Sequence, residues 1–192
     1  MPAPASYDIL SAYQNIHQIV LKQAEGLDDA QLRWKPAHYS TSIGFHLWHL
    51  AREADYLKAA ILEHYPALGP DFGAATQIWH ADKLAEKWGF PPDTGVGTGM
   101  SDEMAANLPI PTKEELLDYL RRAYAAVEAF LELLDTRHAL LEGIADADLK
   151  KAVERSRFNL LVFMLHDARH LGMIECLTGL QTGFGSATER RP

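Results

Sequence analysis

Cysteine is almost absent from this chain. Its single thiol, Cys176, has no partner for an internal disulfide, so oxidation holds nothing together and a cytoplasmic setting is the expectation. Long apolar runs are missing too. None approaches the roughly 20 residues of a membrane-spanning helix, and MPAPASYD at the N-terminus has neither the basic start nor the apolar core of a signal peptide. Basic residues are scarce, 18 Lys and Arg against 26 Asp and Glu for a formal charge of −8. No basic cluster is available to hold phosphate, which argues against a nucleic-acid partner. Alternating strand patterns and internal repeats are also lacking.

What the chain does have is 192 residues, 47% of them hydrophobic, enough for one full core. Residues 1–192 are expected to form a single domain. It also has nine histidines. Two of them, His166 and His170, stand four apart in SRFNLLVFMLHDARHLGMIECLTG, so on a helix both imidazoles point to one side. The surrounding leucines imply that this helix is buried. Two polar rings are costly there unless something satisfies their nitrogens, and a shared metal ion would do so. Cys176, six residues past His170 and about 240° around the helix, faces away from the pair and reads as packing.

Helical periodicity places the other elements. A first helix is expected from an N-cap at Ser6 to Glu25, stopped by Gly26, with Ile9, Tyr13, Ile16, Val20 and Ala24 inward. His17 falls at the margin of that stripe, where it reads as a hydrogen-bonded or solvent-facing edge residue more readily than as a ligand. Asp28 and Gln31 have capping-box spacing for a short helical turn. A second long helix runs from Ser42 to His64, with Ile43, Leu47, Leu50, Ala54, Leu57 and Ile61 inside. On it His46 and His49 share a side. His49 is the better candidate ligand, because Glu53 follows one turn later and could orient its ring or a bound water. Otherwise Glu53 is a solvated partner for Arg52 or Lys58.

Residues 65–111, rich in Pro and Gly, form a long crossover with one short helix over Thr76 to Trp88. Trp79 and His80 could make it a lid or pocket wall, or simply pin it to the core. Its GVGTGM run lacks the Lys-Ser/Thr ending of a phosphate loop. Thr112 and Glu115 open a third long helix that continues to about Leu140, with Asp118, Arg121, Arg122, Glu128 and Glu132 on a solvated face. Residues 142–154 read as a charged connector with room for a turn of helix around Asp146 to Leu149, Ser156 as the cap of the fourth helix, Gly179 as its end, and 181–192 as a flexible tail. Four long helices joined by one long crossover make an all-α four-helix bundle. A di-iron bundle is disfavoured because the Glu-x-x-His pairs it needs are absent.

HLWHLARE on the second helix, the glycine-rich crossover and HDARHLGMIECLTGL on the last helix together resemble the DinB-like superfamily. The resemblance covers nearly the whole chain. It implies a divalent metal at one end of the bundle, held by His49, His166 and His170, with His46 in reserve. Many relatives carry Arg and Gln where Leu171 and Met173 stand here, so a polar contact made there is missing. Met173 is expected on the same side as His170, making the site more apolar.

Three neutral imidazoles leave coordination positions open, as in catalytic zinc sites. Zinc or nickel is the expected ion, with iron or manganese as alternatives. Such an ion would activate a low-molecular-weight thiol for S-transfer to a small electrophile, or water for hydrolysis, and the resemblance implies the thiol version; on this reading of the residues Glu53 is a base or second-sphere group and Trp79 and His80 lie near the substrate. The other reading is a non-catalytic metal-binding or stress-response bundle. A homodimer through an exposed helix pair is also implied.

Overall fold

In the computed structural model residues 9–183 are described, and they contain helix and no strand. Eight α-helices follow one another among them: α1 (Ile9–Glu25), α2 (Asp29–Arg33), α3 (Ile43–His64), α4 (Ile78–Ala81), α5 (Leu84–Trp88), α6 (Asp102–Ala106), α7 (Lys113–Ala139) and α8 (Ala147–Thr182). The expected all-α class is what the chain adopts. The long helices α1, α3, α7 and α8 enclose one core, α1 and α3 each packing on both α7 and α8.

Local chemistry sets most boundaries. Ser42 caps α3 by accepting from the Phe45 amide at 3.2 Å. The capping box of α2 is complete, with Asp28 accepting from the Gln31 amide and Gln31 returning the contact to the Asp28 amide. Thr112 caps α7 through the Glu115 amide. Ser6, the expected cap of α1, lies outside the described residues. Within the core Leu47, Trp48, Leu50, Leu116, Leu120, Phe130, Leu131, Leu134, Val153 and Leu160 are all but fully buried. Each large apolar side chain sealed this way contributes roughly 1.5–3 kcal/mol.

The last helix departs from expectation. Residues 147–154 of the stretch read as a charged connector are its first two turns: Asp146 is the N-cap, accepting from the Asp148 and Leu149 amides at 2.9 and 3.1 Å. The C-terminal boundary also moves, from Gly179 to Gly183, whose φ of +72° ends the helix in the left-handed region. The element therefore has 36 residues, a length of about 54 Å. Its inward stripe is narrow, built from Ala152, Val153, Ser156, Leu160, Asp167, Ile174 and Leu177. Phe158, Leu161, Val162 and Leu165 face outward and are exposed, so the leucine-rich sequence does not bury this helix all round. Cys176 is exposed too, rather than packed.

The crossover differs in one detail. The expected single helix breaks at Lys83, which has φ +52°, into α4 and α5, and α6 adds a further turn of helix. Asp55 of α3 anchors the start of α4, accepting from the Ile78 and Trp79 amides, both at 2.9 Å, and from the Tyr119 hydroxyl at 3.0 Å.

Ser156 offers a direct test of the revised α8. As a cap its loss would cost about 1 kcal/mol. Here it is a helix-interior residue whose buried hydroxyl lacks a hydrogen-bond partner. Ser156→Ala is therefore expected to raise stability by about 1 kcal/mol, read from urea denaturation midpoints. A loss of that size would restore the cap.

Candidate metal centre

From its cap at Ser42, α3 carries three buried polar side chains on the face under the crossover: His49, Arg52 and Glu53. Each meets the GVGT strap. Arg52 Nε donates to the Gly95 carbonyl at 3.1 Å, His49 Nδ1 to the Val96 carbonyl at 2.6 Å, and the Thr98 hydroxyl to Glu53 at 2.7 Å. Gly97 lies across this contact with φ +99°, and a Cβ there would sit 3.0 Å from both His49 Nδ1 and the Trp48 ring. Only glycine fits. Sequence reasoning excluded a phosphate loop at GVGTGM and assigned the run no role; three polar residues on one face of α3 were the signal that something polar covers them.

A carbonyl only accepts, so the contact with Val96 puts the His49 proton on Nδ1 and leaves a lone pair at Nε2. That nitrogen faces His166 Nε2 at 3.1 Å. The His166 and His170 rings lie 4.5 Å apart, and those of His49 and His170 4.6 Å. One ligand atom from each of His49, His166 and His170 falls within 4.8 Å of the others, the group among the described residues that could hold a metal ion. α3 supplies one imidazole and α8 two.

His46 stands behind this group. Its Nδ1 is 2.9 Å from His170 Nδ1 and its Nε2 is 3.1 Å from the Thr41 hydroxyl. Burial, with a smaller contribution from neighbouring imidazoles, pushes His46 down to about 4 and His170 down to about 3. His49 is also lowered by burial, against opposing contributions from the Val96 hydrogen bond and the Glu53 charge. These rings are neutral at pH 7, the form that ligates a metal.

The donor set fits a divalent cation. Two nitrogens bound near-tetrahedrally to one zinc ion at about 2.0–2.1 Å are about 3.3 Å apart, close to the His49–His166 spacing. Without a cation, His166 must put its proton on Nε2 to bond His49. That leaves its Nδ1 a bare acceptor, and this buried atom has no hydrogen-bond partner, only the Asp167 carboxylate 3.6 Å away. Were a cation to take both Nε2 lone pairs, the His166 proton would sit on Nδ1, facing Asp167.

Several other expectations need correction. Glu53 is buried and bonded to Thr98, so it is not a solvated partner of Arg52 or Lys58. Trp79 packs among Trp48, Trp88, Phe90 and Tyr119 with the Arg52 guanidinium 4.7 Å from its ring, which pins the crossover, while His80 is exposed. Neither joins the three imidazoles. Met173 is exposed as well. His17 is buried rather than marginal, bonded to Asp167 and to Glu128, and Glu128 is therefore not part of a wholly solvated face.

The depressed pKa values imply a pH dependence for the metal-free protein. Below pH 6.5, down to about 4 at His46 and about 3 at His170, the unfolded chain takes up protons that the folded chain refuses. Their contribution to stability is thus complete above pH 6.5 and is lost as pH falls through that window. Chelator-treated protein is expected to unfold at lower urea at pH 4.5 than at pH 7, and His46→Asn with His170→Asn to flatten the slope. An unchanged slope in the double variant would rule this out.

Comparison with known proteins adds the family. A sequence model of the DinB superfamily matches residues 12–174. No curated protein sequence gives a significant match. Among solved structures the fold is similar to that of a conserved protein from Enterococcus faecalis, at 19% identity and a TM-score of 0.54, covering 88% of this chain and 97% of that one. With the helical fold and the histidines of α3 and α8 brought together as its motifs implied, the chain belongs to the DinB superfamily.

Proposed function

We propose that this protein is a metal-dependent enzyme that activates a low-molecular-weight thiol, or water, for attack on a small electrophile. The observation that carries the reading is the convergence of three imidazoles from two rigid helices, with no fourth protein ligand in the group. A divalent ion there, zinc or nickel first and iron or manganese next, supplies a Lewis-acidic centre that lowers the pKa of a thiol or water reaching it. The chain's own residues prepare that centre. His49 is locked as the Nδ1 tautomer by Val96, and His46 faces the Nδ1 of His170 so that Nε2 is the remaining nitrogen. Glu53, held by Thr98, adds negative charge beside His49 as a second-sphere group, which supports ligand basicity. A reducing cytoplasm, where thiols of this class are abundant, suits an exposed lone cysteine. No described helix is long and apolar enough to cross a membrane.

Elemental analysis of untagged protein tests the reading, followed by thiol-transfer and hydrolysis assays on small electrophiles. About one metal per chain is expected, with marked loss in His166→Ala and loss of turnover in His170→Ala without unfolding. Metal without turnover would leave a non-catalytic metal-binding module. No metal after incubation with zinc, nickel or manganese would sink both.

A homodimer is part of the proposal, and the outward face of α8 supports it. Phe158, Leu161, Val162 and Leu165 are exposed in one stripe, symmetric about the midpoint between Leu161 and Val162. Glu154 and Arg169 flank it at equal distances, both exposed and neither ion-paired within the protomer among the described residues. An antiparallel second copy would set each Glu154 opposite an Arg169 while covering the leucines. Sedimentation should show a dimer for the native chain and a monomer for Phe158→Glu; a native monomer at tens of micromolar would end the idea.

A further inference from the structure

Beside the three imidazoles lies a second polar cluster that the proposed chemistry does not use. His17 of α1 is 1% exposed, with Nδ1 2.5 Å from Glu128 Oε1 on α7 and Nε2 3.3 Å from Asp167 Oδ2 on α8. Carboxylates only accept, so satisfying both contacts requires a proton on each ring nitrogen, and His17 is an imidazolium. Burial alone would oppose that charge; the two carboxylates outweigh it and raise the pKa of His17. Its ring plane is fixed as well. Tyr124 stacks on it at 3.5 Å and 4°, and Tyr13 meets it edge-on at 4.9 Å.

Both nitrogens being engaged, His17 cannot be a fourth ligand. Its position suggests another task. Asp167 is itself buried, and while Oδ2 is held by His17, Oδ1 is directed to the orphaned Nδ1 of His166, 3.6 Å away. The chain Glu128–His17–Asp167–His166 thus runs from the partly exposed Glu128 to the triad. A buried charged trio is weak evidence of stability, since apolar residues of equal volume are often as good or better. What apolar residues could not do is present an oriented anion to a ligand imidazole.

We infer that His17, backed by Glu128, is a positioning residue of the metal centre: it clamps the Asp167 carboxylate against His166, fixing the tautomer in which Nε2 is free to bind metal. The inference rests on the metal-binding reading above. Oriented anions behind a ligating imidazole raise its basicity, and their removal costs about 10–100-fold in metal affinity.

Zinc affinity by chelator competition tests it, alongside urea denaturation of the metal-free forms and the visible spectrum of the cobalt-substituted forms. Asp167→Asn is expected to weaken zinc binding about 10–100-fold. His17→Gln, which keeps one hydrogen bond and loses the charge, should weaken it about tenfold with an altered cobalt spectrum. If His17→Gln lowers the metal-free stability but binds zinc within about twofold of native with an unchanged spectrum, the cluster is core structure and the inference is overturned. Should His17→Gln fail to fold, Glu128→Gln, at the partly exposed end, decides by the same criteria, with a loss of at least about threefold expected. A native protein that binds no zinc overturns the metal reading itself, which the native control separates from failure of the clamp alone.

Discussion

The hydrogen bond from His49 to the Val96 carbonyl ties the ligand of α3 to the strap of the crossover. It is a contact between a helix and a loop 47 residues further along the chain. Gly97 is the residue that permits the approach, and Arg52 and Glu53 hold the strap on either side. On the helix side, the same bond decides which nitrogen of His49 carries a proton. A loop contact made for packing thereby becomes a statement about ligand chemistry.

Burying polar residues along α3 is the cost of this arrangement, and the fold offsets it by pairing them. His46, His49, Arg52, Glu53 and Asp55 are all buried, and each has a partner within hydrogen-bond reach. Leaving any of them unpaired would cost about 1–3 kcal/mol or more. The outlying member is His166, whose Nδ1 lacks such a partner at the point where the imidazoles converge. That deficit would disappear if Nε2 held a cation and the proton sat on Nδ1, toward Asp167. The local imbalance and the proposed ligand therefore account for each other.

Four amphipathic helices, the cap at Thr112 and the capping box at Asp28 were legible in the chain, because a helix terminus and an i, i+4 stripe depend on neighbours a few residues away. The i, i+4 spacing of His166 and His170 was legible for the same reason. The unbroken run of α8 from Asp146 through Ser156 was not. Its buried stripe over Ala152, Val153 and Ser156 is made of small residues among charges, which composition reads as a connector. Phe158, Leu161, Val162 and Leu165 misled in the opposite sense: their run implied burial, yet in the protomer they face outward.

Sequence alone determined the all-helical class and the histidines of α3 and α8 as candidate ligands, since both follow from local periodicity and residue type. Tertiary structure decided which third imidazole meets the pair, placing His49 against His166 and His46 behind His170. It also moved Trp79 into the aromatic cluster and His17 into the core. These outcomes depend on the rotation of α3 against α8, on a strap returning from the crossover and on an anion from the facing helix. Each is set by contacts between residues dozens of positions apart, which spacing along one helix cannot encode.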